Sequence, residues 1–313
     1  MNTAEDSIPN PLVSVIMPCY NGQAYLAEAI ESVLGQSYRN FELIVVDDGS
    51  TDRSDEILRG YGDRIRVTRQ SNKGVSAARN VGIFKSRGEF IAFLDSDDYW
   101  HPEFLRKMIA GMADPATAIA YCGWQNVGTT TGKPFVPPDY ETRDKMHHLL
   151  RFASLWPIHA ILIRRSAMPR GLPFNPAYPA CEDYDLWLRI ASFHRIQLVP
   201  EVLAFYRKHS TEQATADQAR VARYNLLVKK RFLRDFPHLM QGATRAQLRA
   251  CYAGGIIDRG YRCLWKGDLA SAHLIFRHAL FKGVIGIKDL KYAVPSLLPL
   301  GVYAWLARGR RRL

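Results

Sequence analysis

Short runs of apolar residues alternate with segments of helical periodicity along the first hundred residues. The apolar runs predict four strands, over residues 12–17, 41–46, 65–67 and 89–94. Apolar positions three and four residues apart predict helices over 24–34 and 74–86. Strands that alternate with helices favour an α/β fold with a doubly wound, mostly parallel sheet. Right-handed crossovers bring the carboxyl ends of such strands to one edge, where these sheets bind ligands.

Beyond residue 100 the pattern is more mixed. It predicts helices over 103–112 and 182–193 and strands over 118–124, 160–163 and 196–206. Residues 128–144 are rich in Gly, Thr and Pro, which predicts a loop over the site or an insertion. After residue 210 the chain is predicted to be helical, over 217–236, 244–265 and 268–280. We therefore predict an α/β domain over 1–210 and a helical C-terminal region over 211–313.

The last thirty residues combine apolar positions with positive charge. The chain has 42 Lys and Arg against 30 Asp and Glu, a net charge of +12, and residues 282–313 carry seven of these cations and one Asp. Such a balance predicts an anionic partner. Charges and prolines interrupt the apolar pattern of 283–306, so we predict an amphipathic segment over 283–312 that contacts the inner membrane surface peripherally. A core-packed helix with a solvated basic end is the alternative.

Cysteine usage and the N-terminus indicate a cytoplasmic protein. The five cysteines form no Cys-x-x-Cys pair, so a disulfide framework or a zinc site is not expected. Residues 1–11 contain no apolar signal core, and no run of eighteen uncharged apolar residues occurs. We therefore expect a reducing, cytoplasmic location, at most peripheral on the membrane.

Carboxylates follow the predicted strand at 89–94. Asp95, Asp97 and Asp98 are like charges within one small volume, and they need a compensating cation. Hard carboxylate oxygens suit Mg²⁺ or Mn²⁺. A polar turn with solvated aspartates is the alternative.

Three further groups lie at or near the same predicted edge. Tyr20 could stack on a nucleobase or pack in the core. Asp48 could accept a hydrogen bond from a base or a ribose, or cap a helix. Arg79 could reach a diphosphate, or lie on an ordinary helix. Neither G-x-G-x-x-G nor a P-loop motif is present, which weighs against dinucleotide oxidoreductases and P-loop enzymes.

These groups stand in motifs that resemble family 2 inverting glycosyltransferases over residues 12–210. The motifs, in chain order, are Pro18-x-Tyr20-Asn21, Val46-Asp47-Asp48-Gly49-Ser50, Gly74-x-Ser76-x-Ala78-Arg79-Asn80 and Phe93-Leu94-Asp95-x-Asp97-Asp98. The resemblance implies the A-type nucleotide-sugar transferase fold, a divalent cation and a nucleotide-diphosphate sugar donor, with uracil the common base. It implies a donor site formed by Pro18, Tyr20, Asn21, Asp48, Arg79 and Asp95, with Asp97 as a metal ligand.

The resemblance extends to Cys181-Glu182-Asp183-Tyr184. It implies that Asp183 is the catalytic base, with Glu182 beside it in the sugar site. Inverting transfer needs one such carboxylate, to take the proton of the attacking hydroxyl. First-turn helix charges are the alternative interpretation. His209, in Tyr206-Arg207-x-His209-x-x-x-x-Gln213, could contact the metal or lie on the surface, and we include His159 among the sugar-site residues.

The resemblance departs from processive enzymes, because Gln-x-x-Arg-Trp is absent after Asp183. We therefore predict transfer of a single hexose or N-acetylhexosamine to a saccharide or lipid-linked saccharide in bacterial-type cell-surface polysaccharide synthesis. A sugar-phosphate nucleotidyltransferase would want a cation after the first strand, which Pro18-Cys19-Tyr20-Asn21 lacks. A basic membrane-surface adaptor is the non-enzymatic alternative. No nucleic-acid module is recognisable, so nucleic acid is not an expected partner.

Overall fold

The computed structural model describes residues 10–151, 155–209 and 216–309. The chain divides into two compact units. The first comprises Met1–Thr142, Trp156–Ala177 and Arg189–Thr211, and the second comprises Arg143–Leu155, Tyr178–Leu188 and Glu212–Leu313. The predicted boundary at residue 210, the motif residue Gln213 and the arginines at 310–312 lie outside the described residues, so the predicted two-domain division stays a prediction.

The first unit is built on a mixed eight-stranded sheet. The strands are β1 Val13–Cys19, β2 Phe41–Asp47, β3 Arg66–Arg69, β4 Phe90–Phe93, β5 Tyr99–Trp100, β6 Thr117–Gly128, β7 Ile161–Arg164 and β8 Arg195–Lys208. They lie in the order β3-β2-β1-β4-β7-β6-β8-β5. The β3-β2-β1-β4 half is parallel, and β7 joins it antiparallel through β4. The predicted α/β fold with a mostly parallel core is therefore confirmed.

Helices connect the strands and make up most of the second unit. They are α1 Leu26–Leu34, α2 Ser54–Gly60, α3 Val75–Lys85, α4 Phe104–Ala110, α5 Lys145–Arg151, α6 Glu182–Ala191, α7 Gln218–Asp235, α8 Arg245–Lys266, α9 Leu269–Phe281, α10 Leu290–Ala293 and α11 Leu300–Gly309. Every residue of β1 and β4 is buried, which fits apolar strands covered on both faces. Helix α3 lies so close to β1 that a Cβ atom on Gly82 would stand 2.3 Å from Ile16 Cγ2.

The predicted strand at 118–124 is longer in the structure, and the predicted loop over 128–144 follows its end. Strand β6 extends to Gly128 because it pairs with β8 along its length, through irregular registers. Phe135 then folds back to form a bridge with Trp124. The two-residue strand β5 and the helix α5 were not predicted.

The second unit has its own apolar core. Helices α8 and α9 form the predicted hairpin, joined at Gly267 in the left-handed conformation with φ 90°, and Asp268 caps α9 by accepting from Ser271 N. A capping box formed by Thr244 and Gln247 begins α8. The caps at Gly267 and Asp268 satisfy backbone groups on both sides of the turn, and this explains why the hairpin is defined locally.

The C-terminal segment packs on this helical core. Tyr292, Ala293 and Tyr303 are buried in one cluster with side chains of α7, α8 and α9. The other face of the segment leaves Ile287 91% and Trp305 73% exposed. The segment therefore has the packing of the core-packed alternative together with an exposed apolar face. Among the described residues, no helix has both the length and the apolar character needed to cross a membrane.

Candidate active site

The carboxyl ends of β1 and β2 form the first part of the candidate site. Pro18 is buried in β1, whereas Tyr20 just beyond the strand is 52% exposed. Asn21 adopts a left-handed backbone with φ 53°, and its Oδ1 accepts hydrogen bonds from Thr51 N at 2.8 Å. Asn21 N in turn donates to Ser50 Oγ at 3.0 Å. The loop after β1 is thus tied to the loop after β2, and Tyr20 presents a ring to solvent at their junction.

Asp48 organises the segment that leads into α3. Its Oδ1 accepts from Gln70 Nε2 at 2.6 Å and from Lys73 N at 2.8 Å, and its Oδ2 accepts from Gly74 N at 2.8 Å. Gly74 has φ 85°, a conformation that favours glycine. Asp48 is 3% exposed. It therefore fixes the loop 70–74 beside the strand ends, and its predicted contact with a base stays a prediction.

The buried Arg79 pairs with the half-buried Asp95 in the first unit. Arg79 is 3% exposed, its Nη2 donates to Asp95 Oδ1 at 2.8 Å, and its guanidinium lies 5.4 Å from the ring of Phe174. The pair joins α3 to the end of β4. Because Arg79 is already engaged with Asp95, its clearest role in the structure is to orient that carboxylate.

Asp97 and His209 also meet, although they are 112 residues apart in sequence. His209 Nε2 lies 2.9 Å from Asp97 Oδ2. The centroids of the His209 and Tyr25 rings are 5.5 Å apart, and the ring planes are tilted by 34°. The Asp97 side chain is 32% exposed, so the pair has an open side. The structure thus brings together the two residues that the sequence predicted as metal ligands.

Asp98 and His159 form a completely buried pair. His159 Nδ1 lies 2.9 Å from Asp98 Oδ2, and the His159 ring stacks on Tyr206 at 5.6 Å. Burial raises the pKa of Asp98 to about 6, although His159 lowers it. Burial would lower the pKa of His159, but the Asp98 carboxylate reverses this and raises it. His159 faces Asp98 inside the fold, so its predicted place among sugar-site residues stays a prediction.

Arg207 is a site residue that the sequence interpretation did not select. Its backbone N donates to Asp98 Oδ1 at 2.7 Å, and its Nε donates to the Asp97 carbonyl at 3.0 Å. Its guanidinium lies over the ring of Tyr25 at 4.6 Å and pairs with Glu28 at 2.6 Å. The signal was present in the segment Tyr206-Arg207-x-His209, where an arginine stands two residues before the histidine.

Glu182 and Asp183 lie in the second unit, in the first turn of α6. Both are half-buried, and Asp183 Oδ1 accepts from Tyr184 N at 2.6 Å. The residue before them, Cys181, has a left-handed backbone with φ 62°, which is uncommon for a side chain with a Cβ. The Tyr184 hydroxyl donates to the Leu149 carbonyl at 2.7 Å. The buried Tyr184 therefore anchors the beginning of α6 to Leu149.

Lys229 of α7 is buried beside that tyrosine. Its side chain is 0% exposed, its Nζ lies 5.8 Å from the Tyr184 ring, and it has no hydrogen-bond partner within the described part of the chain. Burial, assisted by Arg259, lowers the pKa of Lys229 to about 7, against smaller raising effects of Cys251, Cys181 and Asp258. The native state consequently binds fewer protons than the unfolded state above pH 7.

We expect the stability difference between the wild type and Lys229→Met to depend on pH. In the wild type the depressed pKa makes stability rise from about pH 7 upwards, with a slope of at most about 1.4 kcal/mol per pH unit. The methionine variant lacks this proton linkage. Its gain in the free energy of unfolding over the wild type is therefore largest below pH 7 and shrinks towards pH 9. Denaturant unfolding at several pH values measures the difference. Lys266→Met, at an exposed position on α8, is the matched control; a pH-independent difference for Lys229→Met would contradict the assignment.

The Asp97–His209 pair fits a divalent cation that shares its coordination with a substrate. Within the described residues no three His, Cys, Asp or Glu side chains are grouped so as to hold a metal by themselves. Magnesium and manganese sites of phosphate-transferring enzymes often take only one or two protein ligands and complete their shell with phosphate oxygens and water. A carboxylate and an imidazole with an open side match that pattern better than a closed structural site.

Comparisons with known proteins identify the family and the fold of the chain. The sequence profile described as "Glycosyl transferase family 2" matches residues 14–170. An uncharacterised glycosyltransferase of Rickettsia typhi is 32% identical, over 96% of this chain and 98% of its own length. Among solved structures, S. aureus TarS 1-349 in complex with UDP-GlcNAc aligns with a TM-score of 0.60 at 17% identity, covering 96% of this chain and 91% of TarS. The mannosyltransferase PcManGT from Pyrobaculum calidifontis, in complex with GDP-Man and Mn²⁺, gives 0.58 at 19% identity, covering 96% and 86%.

The fold is thus that of the A-type nucleotide-sugar transferases. The chain belongs to glycosyl transferase family 2. The alternatives of a sugar-phosphate nucleotidyltransferase and of a non-enzymatic adaptor are set aside by this membership.

Proposed function

We propose that the protein is a metal-dependent inverting glycosyltransferase that moves one sugar from a nucleotide-diphosphate sugar to an acceptor hydroxyl. The observation that carries the proposal is the convergence of Tyr20, the Arg79–Asp95 pair and the Asp97–His209 pair around the ends of β1, β4 and β8. Parallel strand ends are where such sheets bind nucleotides. The donor is a UDP-sugar in this proposal, carrying a hexose or an N-acetylhexosamine, and the TarS complex with UDP-GlcNAc supports that choice.

The donor is bound by groups with distinct chemistry. Tyr20 offers an exposed ring on which a uracil can stack, two residues after the buried Pro18. Asn21 and Asp48 hold the loops that surround the base. Asp95, oriented by Arg79 at 2.8 Å, is placed to accept hydrogen bonds from ribose or sugar hydroxyls. In this proposal Tyr20 and Asp48 recognise the base, and the fixed Asp95 carboxylate recognises the hydroxyls.

Asp97 and His209 are the residues that would hold a divalent cation. The bound cation would neutralise the negative charge that develops on the departing nucleoside diphosphate. Asp97 brings the necessary negative charge, and Arg207 restrains its backbone through the 3.0 Å hydrogen bond to its carbonyl. The complex of PcManGT with Mn²⁺ supports the choice of Mn²⁺ or Mg²⁺.

Asp183 is the general base of the proposed reaction. It accepts the proton of the acceptor hydroxyl as that oxygen attacks the anomeric carbon, and the bond from this carbon to the diphosphate oxygen breaks on the opposite face. One displacement of this kind inverts the anomeric configuration, and a second nucleophilic carboxylate is unnecessary. Glu182 lies beside Asp183 in the same helical turn, where it can contact acceptor or donor hydroxyls.

The acceptor we propose is a saccharide or a lipid-linked saccharide of cell-surface polysaccharide synthesis. The exposed apolar face of residues 283–309, with Ile287 and Trp305, would give the enzyme a peripheral contact with the cytoplasmic face of the membrane. This contact would keep the enzyme near lipid-linked acceptors.

A panel of donors tests the proposal directly. UDP-, GDP- and dTDP-sugars are each incubated with the full chain, with Mn²⁺, with Mg²⁺ and with a chelator, and thermal stabilisation and donor hydrolysis are measured. A ligand present at a concentration of one hundred times its Kd raises the free energy of unfolding by about 2.7 kcal/mol, which is easily detected. We expect UDP-sugars with Mn²⁺ to give the largest effect. Stabilisation by none of the donors, or equal stabilisation with the chelator, would contradict the proposed function.

A further inference from the structure

A basic groove in the second unit has no part in the proposed transfer reaction. It lies between α7 and α9 and encloses about 410 Å³. Its principal lining residues are Arg220, Arg223, Leu274, Arg277, His278 and Phe281. The volume falls within the range of about 300–1,000 Å³ that is typical of small-ligand sites. We call this feature the basic groove.

Positive charge in the basic groove is only partly neutralised. Asp217 is its one carboxylate, and it lies 3.8 Å from Arg220 Nε and also caps α7. Arg223 and Arg277 make no ion pair with any carboxylate of the described residues. Their contacts are with aromatic rings, Arg223 over Tyr224 at 5.0 Å and Arg277 over Phe281 at 5.9 Å. Two guanidinium groups therefore remain available for an anion.

The electrostatic potential is positive at the imidazole of His278 as well. Burial lowers the pKa of His278, and the neighbouring cations Lys282, Arg223 and Lys230 lower it further. Lys230 Nζ also donates to the Lys282 backbone carbonyl at 3.4 Å, so a cation of α7 lies at the C-terminal end of α9. These effects favour the neutral imidazole of His278, which can donate one hydrogen bond to an anion.

Apolar side chains share the face of α9 that carries these charges. Leu274, Arg277, His278 and Phe281 follow one another at three- and four-residue spacing, so they lie on one side of the helix. Leu274 is 53% and Phe281 69% exposed. A soluble anion such as inorganic phosphate gains nothing from exposed leucine and phenylalanine side chains. A ligand that joins an anionic group to a hydrocarbon chain would contact both.

We propose that the basic groove binds the phosphate of a phosphate-bearing lipid, with the lipid chains against Leu274 and Phe281. Guanidinium groups bind phosphate through paired hydrogen bonds, so Arg223 and Arg277 clamp the headgroup. His278 adds a hydrogen bond, and Arg220, already paired with Asp217, adds charge. The site is separate from the donor-binding residues and does not depend on the proposed glycosyl transfer.

The test uses the full chain and vesicles of phosphatidylcholine, alone or mixed with phosphatidic acid. We expect co-sedimentation with the mixed vesicles, and a loss of affinity of about 10-fold or more in the double variant Arg223→Gln, Arg277→Gln, since each basic side chain near an anionic surface contributes about 1 kcal/mol. The double variant Arg249→Gln, Arg262→Gln removes the same charge from exposed positions on α8 and is the matched control. Equal losses of vesicle affinity in both double variants would overturn the proposal. They would show that positive charge anywhere on the protein attracts it to the vesicle surface.

A second pair of variants tests the apolar half of the site. Leu274→Ser with Phe281→Ser should weaken binding of a short-chain, water-soluble phosphatidic acid several-fold, whereas Phe84→Ser, at an 84% exposed position of the first unit, should not. Thermal unfolding shows whether each variant is folded. The proposal is overturned if inorganic phosphate protects Arg223 and Arg277 from chemical modification as well as the soluble lipid does. It is equally overturned if the groove binds an oligonucleotide more tightly than it binds the soluble lipid or inorganic phosphate.

Discussion

Asp183→Asn is expected to lower the rate of sugar transfer by about 10²–10⁴-fold, the contribution usual for a general base. The amide keeps the size of the side chain and can still accept the hydrogen bond from Tyr184 N, so the beginning of α6 should be preserved. It cannot take up the proton of the acceptor hydroxyl at neutral pH. Donor binding should change little, because the donor residues we propose, apart from Glu182, lie in the first unit.

Two measurements separate this role from a structural one. Turnover is followed by release of the nucleoside diphosphate, and donor binding by thermal stabilisation with UDP. Asp185→Asn is the control, because it makes the same chemical change two residues along the same helix. We expect it to retain turnover within a few-fold of the wild type. Full turnover in Asp183→Asn would rule out Asp183 as the base, and a parallel loss of stability and UDP binding would indicate a structural role.

Asp97→Asn is expected to reduce turnover by about 10²–10³-fold, as removal of one electrostatic stabiliser of a developing anion usually does. The asparagine removes the negative charge beside His209 but can keep the 2.9 Å contact with its ring. UDP alone should still stabilise the variant. The additional stabilisation that Mn²⁺ gives in the presence of UDP should disappear.

The control for this variant is Asp63→Asn, an exposed carboxylate in a turn before β3. It should leave the Mn²⁺-dependent stabilisation unchanged. His209→Gln should weaken that stabilisation in the same direction as Asp97→Asn. If Asp97→Asn keeps the full effect of Mn²⁺, then the cation binds elsewhere and the proposed ligand pair is wrong.

The sequence predicted the parallel half of the sheet well because its strands carry complete local signals. Strands β1, β2 and β4 are short apolar runs that end in polar turns, and buried parallel strands have this pattern. The extension of β6 to Gly128 was not predicted, because it depends on pairing with β8. A strand as short as β5 has no periodicity to detect, and it exists only because Tyr99 and Trp100 pair with Phe205 and Ala204.

The candidate site shows the same division between local and distant signals. Motifs marked the residues at the strand ends, but no motif states which of three neighbouring aspartates is buried. The buried Asp98 accepts a hydrogen bond from Arg207 N at one oxygen and has His159 Nδ1 2.9 Å from the other, and both partners lie far along the chain. The role of the C-terminal segment was also undecided in the sequence, because Tyr292 and Tyr303 become core residues only once α8 and α9 are in place.

The contacts of β8 with Asp97 and Asp98 also determine when the site can exist during synthesis. Arg207 and His209 lie 109 to 112 residues after the aspartates that they contact. A nascent chain can complete β1 to β4 and their helices early, since those contacts are comparatively local. It still lacks the proposed second cation ligand, His209, and the restraint on the aspartate loop until β8 has emerged and paired. Donor binding in the presence of Mn²⁺ should therefore appear late in translation, long after the parallel half of the sheet has folded.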